Sequence, residues 1–237
     1  MRTLFLSDAH LRHPDDANYR RLMSFLDAQR GRLDRLCLLG DIFEFWTGYR
    51  HVAFCAYIPF LERIRRLKEE GTRIYYVEGN HDFDLGPLWQ ELTEGRLYPD
   101  GVRLEDPSGD IFMSHGDLVN SDDRGYRLLR ACFRSPAVKV LKGIIPPDLT
   151  WSIADWAGRQ SKNHHRPTDP KKLETLLRSH AAPWFDRGCR AVVTGHYHCP
   201  LLLQAEGGKT ILSLGDWITQ NSYALLEDGE LKLLSYP

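Results

Sequence analysis

The chain has 237 residues, 42% of them hydrophobic and 27% charged, with a formal net charge of -1 at pH 7. Such a composition excludes a disordered chain, suits one large domain, and gives nucleic-acid binding no support from the overall charge. The five cysteines, Cys37, Cys55, Cys132, Cys189 and Cys199, are odd in number and form no CxxC pair, which argues against a disulfide framework and a thiolate zinc site and for a reducing compartment.

In chain order, an apolar run at residues 3–6 predicts a strand that ends at Ser7-Asp8. Tyr19, Leu22, Met23 and Leu26 then mark one face of a helix. A second strand at 36–39 ends at Gly40-Asp41, and Phe60, Leu61, Ile64 and Leu67 mark the next helix. Strands at 74–77 and 111–113 end at Glu78-Gly79-Asn80 and Ser114-His115. Residues 126–133, 137–145 and 149–159 read as short helices separated by Pro136 and by Pro146-Pro147. They form an expected insertion at approximately 124–170, lying as a lid over the strand ends. Residues 124–172 hold eleven Lys or Arg against three Asp or Glu, so this segment is basic in an otherwise acidic chain. Leu173, Leu176 and Leu177 begin a further helix that ends before Gly188, and a strand at 191–193 precedes Thr194-Gly195-His196. The remainder, with turn signals at Gly207-Gly208 and Asp228-Gly229, reads as a β-meander. The alternation predicts an α/β fold of one domain, 1–237, with helices packed on the sheet.

Each strand end carries a polar motif: Asp8-Ala9-His10, Gly40-Asp41, Gly79-Asn80-His81-Asp82, His115-Gly116-Asp117 and Gly195-His196-Tyr197-His198. Strands lying side by side would bring these ends to one crevice. Alternate residues of an extended segment project to one side, so Asp8 with His10, and His196 with His198, would point inward together. Carboxylate, amide and imidazole without thiolate suit Mn²⁺, Fe²⁺ or Zn²⁺ better than Ca²⁺. Two such ions would activate a water and neutralise a phosphate, with Asp41, alone in its motif, bridging them. Singly, each motif has a plainer reading: Gly40-Asp41 as a turn, Ser7-Asp8 and Asn80-His81-Asp82 as caps, His115 and His196 as satisfied histidines. Their joint occurrence in five strand ends argues against that. His13, His51, His164, His165 and His180 read as surface or helix residues.

From Asp8 to His198 the motif series resembles that of the calcineurin-like metallophosphoesterase family. The resemblance implies a β-sandwich flanked by helices with a bimetal site at one sheet edge. Asp8, His10, Asp41 and His198 would hold one ion and Asp41, Asn80, His115 and His196 the other, with His81 donating to the phosphate or the leaving group. A narrower resemblance, to the UDP-2,3-diacylglucosamine hydrolase family, rests on residues 38–46, 79–83 and 115–117 and on Asp122-Asp123-Arg124-Gly125-Tyr126. It implies two Mn²⁺ ions and attack of water on the α-phosphorus of an acylated UDP-sugar in lipid A synthesis. Asn80, His81, Asp123, Tyr126, Ser161, Lys162 and His196 would meet the substrate. His81 departs from that family's usual Arg, exchanging a fixed guanidinium for a titratable imidazole.

Val138, Val140, Leu141, Ile144 and Ile145, interleaved with Lys139 and Lys142 and followed by Trp151, Ile153 and Trp156, would offer apolar walls beside cations. An ordinary basic helical subdomain has the same texture. The N-terminus reaches Ser7-Asp8 too early for a signal peptide and no run approaches ~20 apolar residues. The expectation is a cytoplasmic protein in peripheral contact with the inner membrane surface, acting on an amphiphilic UDP-sugar lipid and on no nucleic acid. Hydrolysis of a soluble nucleotide or other phosphate ester is the alternative. A non-enzymatic scaffold comes last, because none of the seven ligand positions is missing.

Overall fold

The computed structural model describes residues 1–46, 48–49, 51–142, 144–152 and 169–237. The chain opens with β1 (Arg2–Leu6), α1 (Ala17–Ala28), β2 (Arg35–Leu38), α2 (Ile58–Glu69) and β3 (Arg73–Val77), the three strands running parallel as neighbours. α3 (Gly86–Thr93) leads to the short edge strand β4 (Leu97–Tyr98), and β5 (Val102–Leu104) and β6 (Ile111–Met113) start a second sheet. After α4 (Arg124–Phe133), α5 (Pro136–Lys142) and α6 (Pro170–Asp186) come β7 (Ala191–Thr194), β8 (Leu201–Gln204), β9 (Thr210–Ser213), β10 (Ser222–Glu227) and β11 (Glu230–Ser235). Strand order is β11-β10-β1-β2-β3-β4 in one sheet and β5-β6-β7-β9-β8 in the other.

Near-continuous apolar strands arise because both faces of each sheet are covered. In the first sheet Leu4, Leu6, Leu36, Leu38, Ile74 and Tyr76 face α1 and α2, packing with Phe25, Leu26, Phe60 and Ile64. Their alternates, Phe5, Cys37 and Val77, turn inward and meet Ile111, Met113, Ala191 and Val193 of the second sheet. On the far side, Phe112, Val192 and Ile211 pack against Leu173, Leu177 and Ala181, which lie four residues apart on one stripe of α6. The result is a β-sandwich between two helical layers.

Two expectations change. The five motif-bearing strands do not lie in one sheet: β1, β2 and β3 belong to the first and β6 and β7 to the second. The last four strands are no meander either. β8 and β9 form a hairpin in the second sheet, and β10 and β11 form one in the first. The apolar faces explain both, since a sheet covered by helices on one side needs a second sheet, not water, on the other. The Asp228-Gly229 turn is as expected, with both residues at positive φ.

Between β6 and α6, the expected short helices are present as α4 and α5, with residues 147–152 also helical; residues 153–168, including Ile153 and Trp156, lie outside the described residues. α4 buries no residue: Leu128, Leu129 and Phe133 are 75%, 53% and 49% exposed. Polar anchors hold it instead. Tyr126 Oη and Arg130 Nε donate to Asp117 Oδ2 at 2.7 and 2.8 Å, and Arg134 pairs with Glu78. Farther along, Trp151 packs on Phe54 and Tyr57, and Tyr49 Oη bonds Thr150 at 2.6 Å.

Candidate metal centre

The site is made where the loops after β1, β2, β3, β6 and β7 meet. The β1 loop is zipped to the β2 loop by Asp8 N to Gly40 O (3.1 Å) and His10 N to Asp41 O (2.9 Å), while Gly195 N reaches across to His115 O (2.7 Å). Asp8, His10, Asp41, His196 and His198 all have left-handed backbones, with φ between 45° and 72°. For residues with a Cβ that conformation costs about 1–2 kcal/mol each and concentrates at functional sites. It turns each side chain sharply off its strand end.

Asp82 offsets part of this cost. Its buried carboxylate accepts from the backbone amides of Asp41, Ile42, Phe43 and Gly79, at 2.7–3.1 Å, and from Tyr76 Oη. Two loops are thereby tied to one acceptor. Gly79 and Gly195 are required by close approach: a Cβ on Gly79 would strike the Asp41 carboxylate, and one on Gly195 would lie 2.6 Å from Asp8 Oδ2.

The seven expected ligands come together. Asp8, His10 and His198 form one group, and Asp41, His115 and His196 another, the donor atoms of each lying within 4.8 Å of one another. His198 Nε2 is 3.4 Å from Asp8 Oδ1; Asn80 Oδ1 and His196 Nδ1 lie 3.0 and 3.2 Å from His115 Nε2. Asp41 Oδ2 stands between the groups, 3.7 Å from His10 Nε2 and 3.5 Å from His115 Nε2. Its Oδ1 accepts the His81 amide at 2.9 Å, so one oxygen is anchored and the other faces both groups.

These residues fit two cations. Donors bound to one ion at ~2.0–2.2 Å lie roughly 3–3.5 Å apart, close to the separations seen. Asp8 Oδ1 and His10 Nε2 are buried and have no hydrogen-bond partner, an arrangement that costs free energy unless something positive meets the carboxylate. The site's field agrees. Burial lowers the basicity of His10, but the Glu44 hydrogen bond and the charges of Asp41 and Asp8 outweigh it and raise the pKa to about 9. For His115 burial is likewise outweighed, by Asp41, Asp8 and Asp117, again to about 9. His196 differs: burial and the neighbouring His115 push it down to about 4, leaving a neutral ring able to ligate.

Two carboxylates outside the expected ligand set complete the site. Glu44 Oε2 lies 3.5 Å from His10 Nδ1, and Asp216 Oδ2 lies 3.5 Å from His198 Nδ1. Asp216 is itself held by the amides of Ile218, Thr219 and Gln220. Gly215-Asp216 after β9 repeats the pattern of Gly40-Asp41 after β2, a legible signal; nothing in the spacing marks Glu44. His81 Nδ1 lies 2.9 Å from Glu44 O, and its ring meets His10 edge-on at 4.8 Å. Asp123 caps α4 by accepting from Tyr126 N (2.9 Å), and Tyr126 lines a cavity beside Asn80. Ser161 and Lys162 lie outside the described residues.

A two-sheet sandwich with adjoining ligand groups at one strand-end crevice defines a metallophosphoesterase-type protein. The chain belongs to the calcineurin-like phosphoesterase family, whose sequence model matches residues 1–200, and is a phosphoesterase. It is similar to proteins named UDP-2,3-diacylglucosamine hydrolase: 28% identical to that of Porphyromonas gingivalis, over 98% of this chain and 96% of the relative. With the one from Aeromonas hydrophila subsp. hydrophila it shares 30% identity over 98% of both. Among solved structures, an archaeal phosphodiesterase has a TM-score of 0.51 at 14% identity, and a single mutant of Vps29 from Entamoeba histolytica 0.50 at 14%, each covering 100% of both chains. Both share the fold.

Asp82→Ala would leave four buried amides and the Tyr76 hydroxyl without their acceptor. The expected outcome is a loss of about 3 kcal/mol or more of stability, checked by urea unfolding of the metal-free protein.

Proposed function

We propose that the chain hydrolyses UDP-2,3-diacylglucosamine, releasing UMP and 2,3-diacylglucosamine 1-phosphate, a step of lipid A synthesis. The observation that carries this reading is a cavity of about 160 Å³ beside Asn80, walled by Phe83, Leu129 and Phe133 and edged by Arg130 and Arg134. Apolar walls next to cations suit part of an acylated sugar phosphate. The names of the similar proteins support the same substrate.

In this reading Asp8, His10, Asp41 and His198 hold one divalent ion and Asp41, Asn80, His115 and His196 the other, with Mn²⁺ as the metal and Fe²⁺ or Zn²⁺ as substitutes. When bound, the pair activates water and neutralises charge developing on the phosphate. A water oxygen bonds to the α-phosphorus as the bond to the bridging oxygen breaks, and the sugar 1-phosphate leaves. His81 donates its Nδ1 proton to Glu44 O, so Nε2 is the nitrogen offered to the phosphate or the leaving oxygen; only the doubly protonated ring carries a proton there. Asn80, Asp123, Tyr126 and His196 orient the polar part of the substrate, and Ser161 and Lys162, outside the described residues, are the further contacts that the sequence resemblance implies. The insertion at approximately 124–170, of which 124–142 and 144–152 are described, would serve as a lid.

Exposed Leu128, Val140 and Ile144, in a segment rich in Arg and Lys, support peripheral docking on the cytoplasmic face of the inner membrane. Among the described residues no helix is long and apolar enough to cross a membrane. His81 favours a second reading, a phosphodiesterase or phosphatase acting on a soluble nucleotide, because the imidazole gives up the guanidinium's fixed bidentate grip.

Phosphorus NMR of products formed from UDP-2,3-diacylglucosamine with Mn²⁺ in ¹⁸O water separates the two. Label in UMP with release of the acylated sugar 1-phosphate is the expected result; cleavage of a soluble diester alone discards the lipid substrate. Asp41→Ala should abolish turnover and reduce the stoichiometry of bound metal, as measured by elemental analysis. His81→Ala should keep the metal and slow the chemical step by about 10²- to 10⁴-fold in single-turnover kinetics.

A further inference from the structure

Every imidazole of a metal site has a second nitrogen, and what that nitrogen bonds decides which way the ring points and which tautomer it holds. His115 leans on a backbone carbonyl, with Nδ1 2.8 Å from Leu39 O. His198 leans on Asp216 at 3.5 Å. For His10 and His81 the same residue does both jobs: Glu44 Oε2 lies 3.5 Å from His10 Nδ1, and Glu44 O lies 2.9 Å from His81 Nδ1. Glu44 is only 8% exposed, and Glu44 N in turn donates to Leu11 O at 3.0 Å, just beyond His10.

We infer that Glu44 is a positioning residue shared by a metal ligand and the phosphate-facing residue: its carboxylate accepts the Nδ1 proton of His10 and its carbonyl that of His81. A carbonyl can only accept, which puts the proton on His81 Nδ1. A carboxylate acceptor makes His10 Nε2 more electron-rich and aims it at the position it already faces, beside Asp41 Oδ2. The packing ties the two rings together further, because His10 and His81 touch edge to face. The inference rests on the two-metal reading of the site and adds to it a residue that no ligand motif contains.

The split between side chain and backbone makes it testable. In ¹⁵N-resolved spectra of the Zn²⁺-loaded protein, Glu44→Ala should remove the protected Nδ1–H signal of His10 while leaving those of His81 and His115. Titration of Mn²⁺ into the metal-free protein should show one of the two ions weakened about 10- to 100-fold in Glu44→Ala. The near-isosteric Glu44→Gln, which keeps the packing, should weaken the same ion by less. Unchanged affinity for both ions in Glu44→Gln and in whatever Glu44→Ala can be folded, with the His10 signal retained, overturns the inference. Wild-type protein that binds fewer than two ions overturns the two-metal reading instead.

Discussion

Charge withdrawn from water is the constraint on which this structure turns. Asp8 and Asp41 are 0% and 2% exposed, and each presents an oxygen to a ring of imidazoles. Buried carboxylates persist only when hydrogen bonds, protons or cations meet them. Here one oxygen of each is met by a backbone amide, Asp8 Oδ2 by His196 N and Asp41 Oδ1 by His81 N, both at 2.9 Å. The other oxygen is left to the crevice. That division sets the direction of each carboxylate and leaves the open oxygen available to a cation.

The loops that deliver these groups are conformationally unfavourable by themselves. Five of the ligands sit at left-handed φ, and the β2 and β3 loops crowd so closely that only glycine fits at position 79. What holds them is a set of buried acceptors, Asp82 foremost, and the stiffness of the sandwich beneath. Three parallel strands from one sheet and two from the other present their carboxyl ends to the same edge, so the ligand groups inherit their spacing from sheet packing. A site assembled from five loops is thus as rigid as the core that spaces them.

On the substrate side the balance is reversed. α4 buries no side chain, and its attachment runs through Asp117 and Glu78, residues at the feet of the His115 and Asn80 loops. The polar edge of the helix therefore points to the metal centre and its apolar side chains are left to the cavity and to solvent. Such a division would suit the amphiphilic substrate proposed for the chain.

Much of this was legible from the residues in order. Strand-end motifs picked out the seven residues that the fold gathers at one crevice, and the 3.6-residue spacing in α1, α2 and α6 marked the helices, because both signals are local. The two-sheet sandwich was legible only through the motif resemblance, since an apolar strand has the same texture whether its covered face meets a helix or another strand; the separation of the β8–β9 and β10–β11 hairpins was not legible. Glu44 as the partner of His10 was equally hidden, and although Gly215-Asp216 repeats a strand-end pattern, its pairing with His198 was not legible, for a carboxylate's role beside a ring depends on a distance across the fold. The sequence by itself determined the donor chemistry and the order of the loops. Only the tertiary structure decided which oxygen of Asp41 faces both groups and which residue steadies each imidazole, because those are matters of packing between segments far apart in the chain.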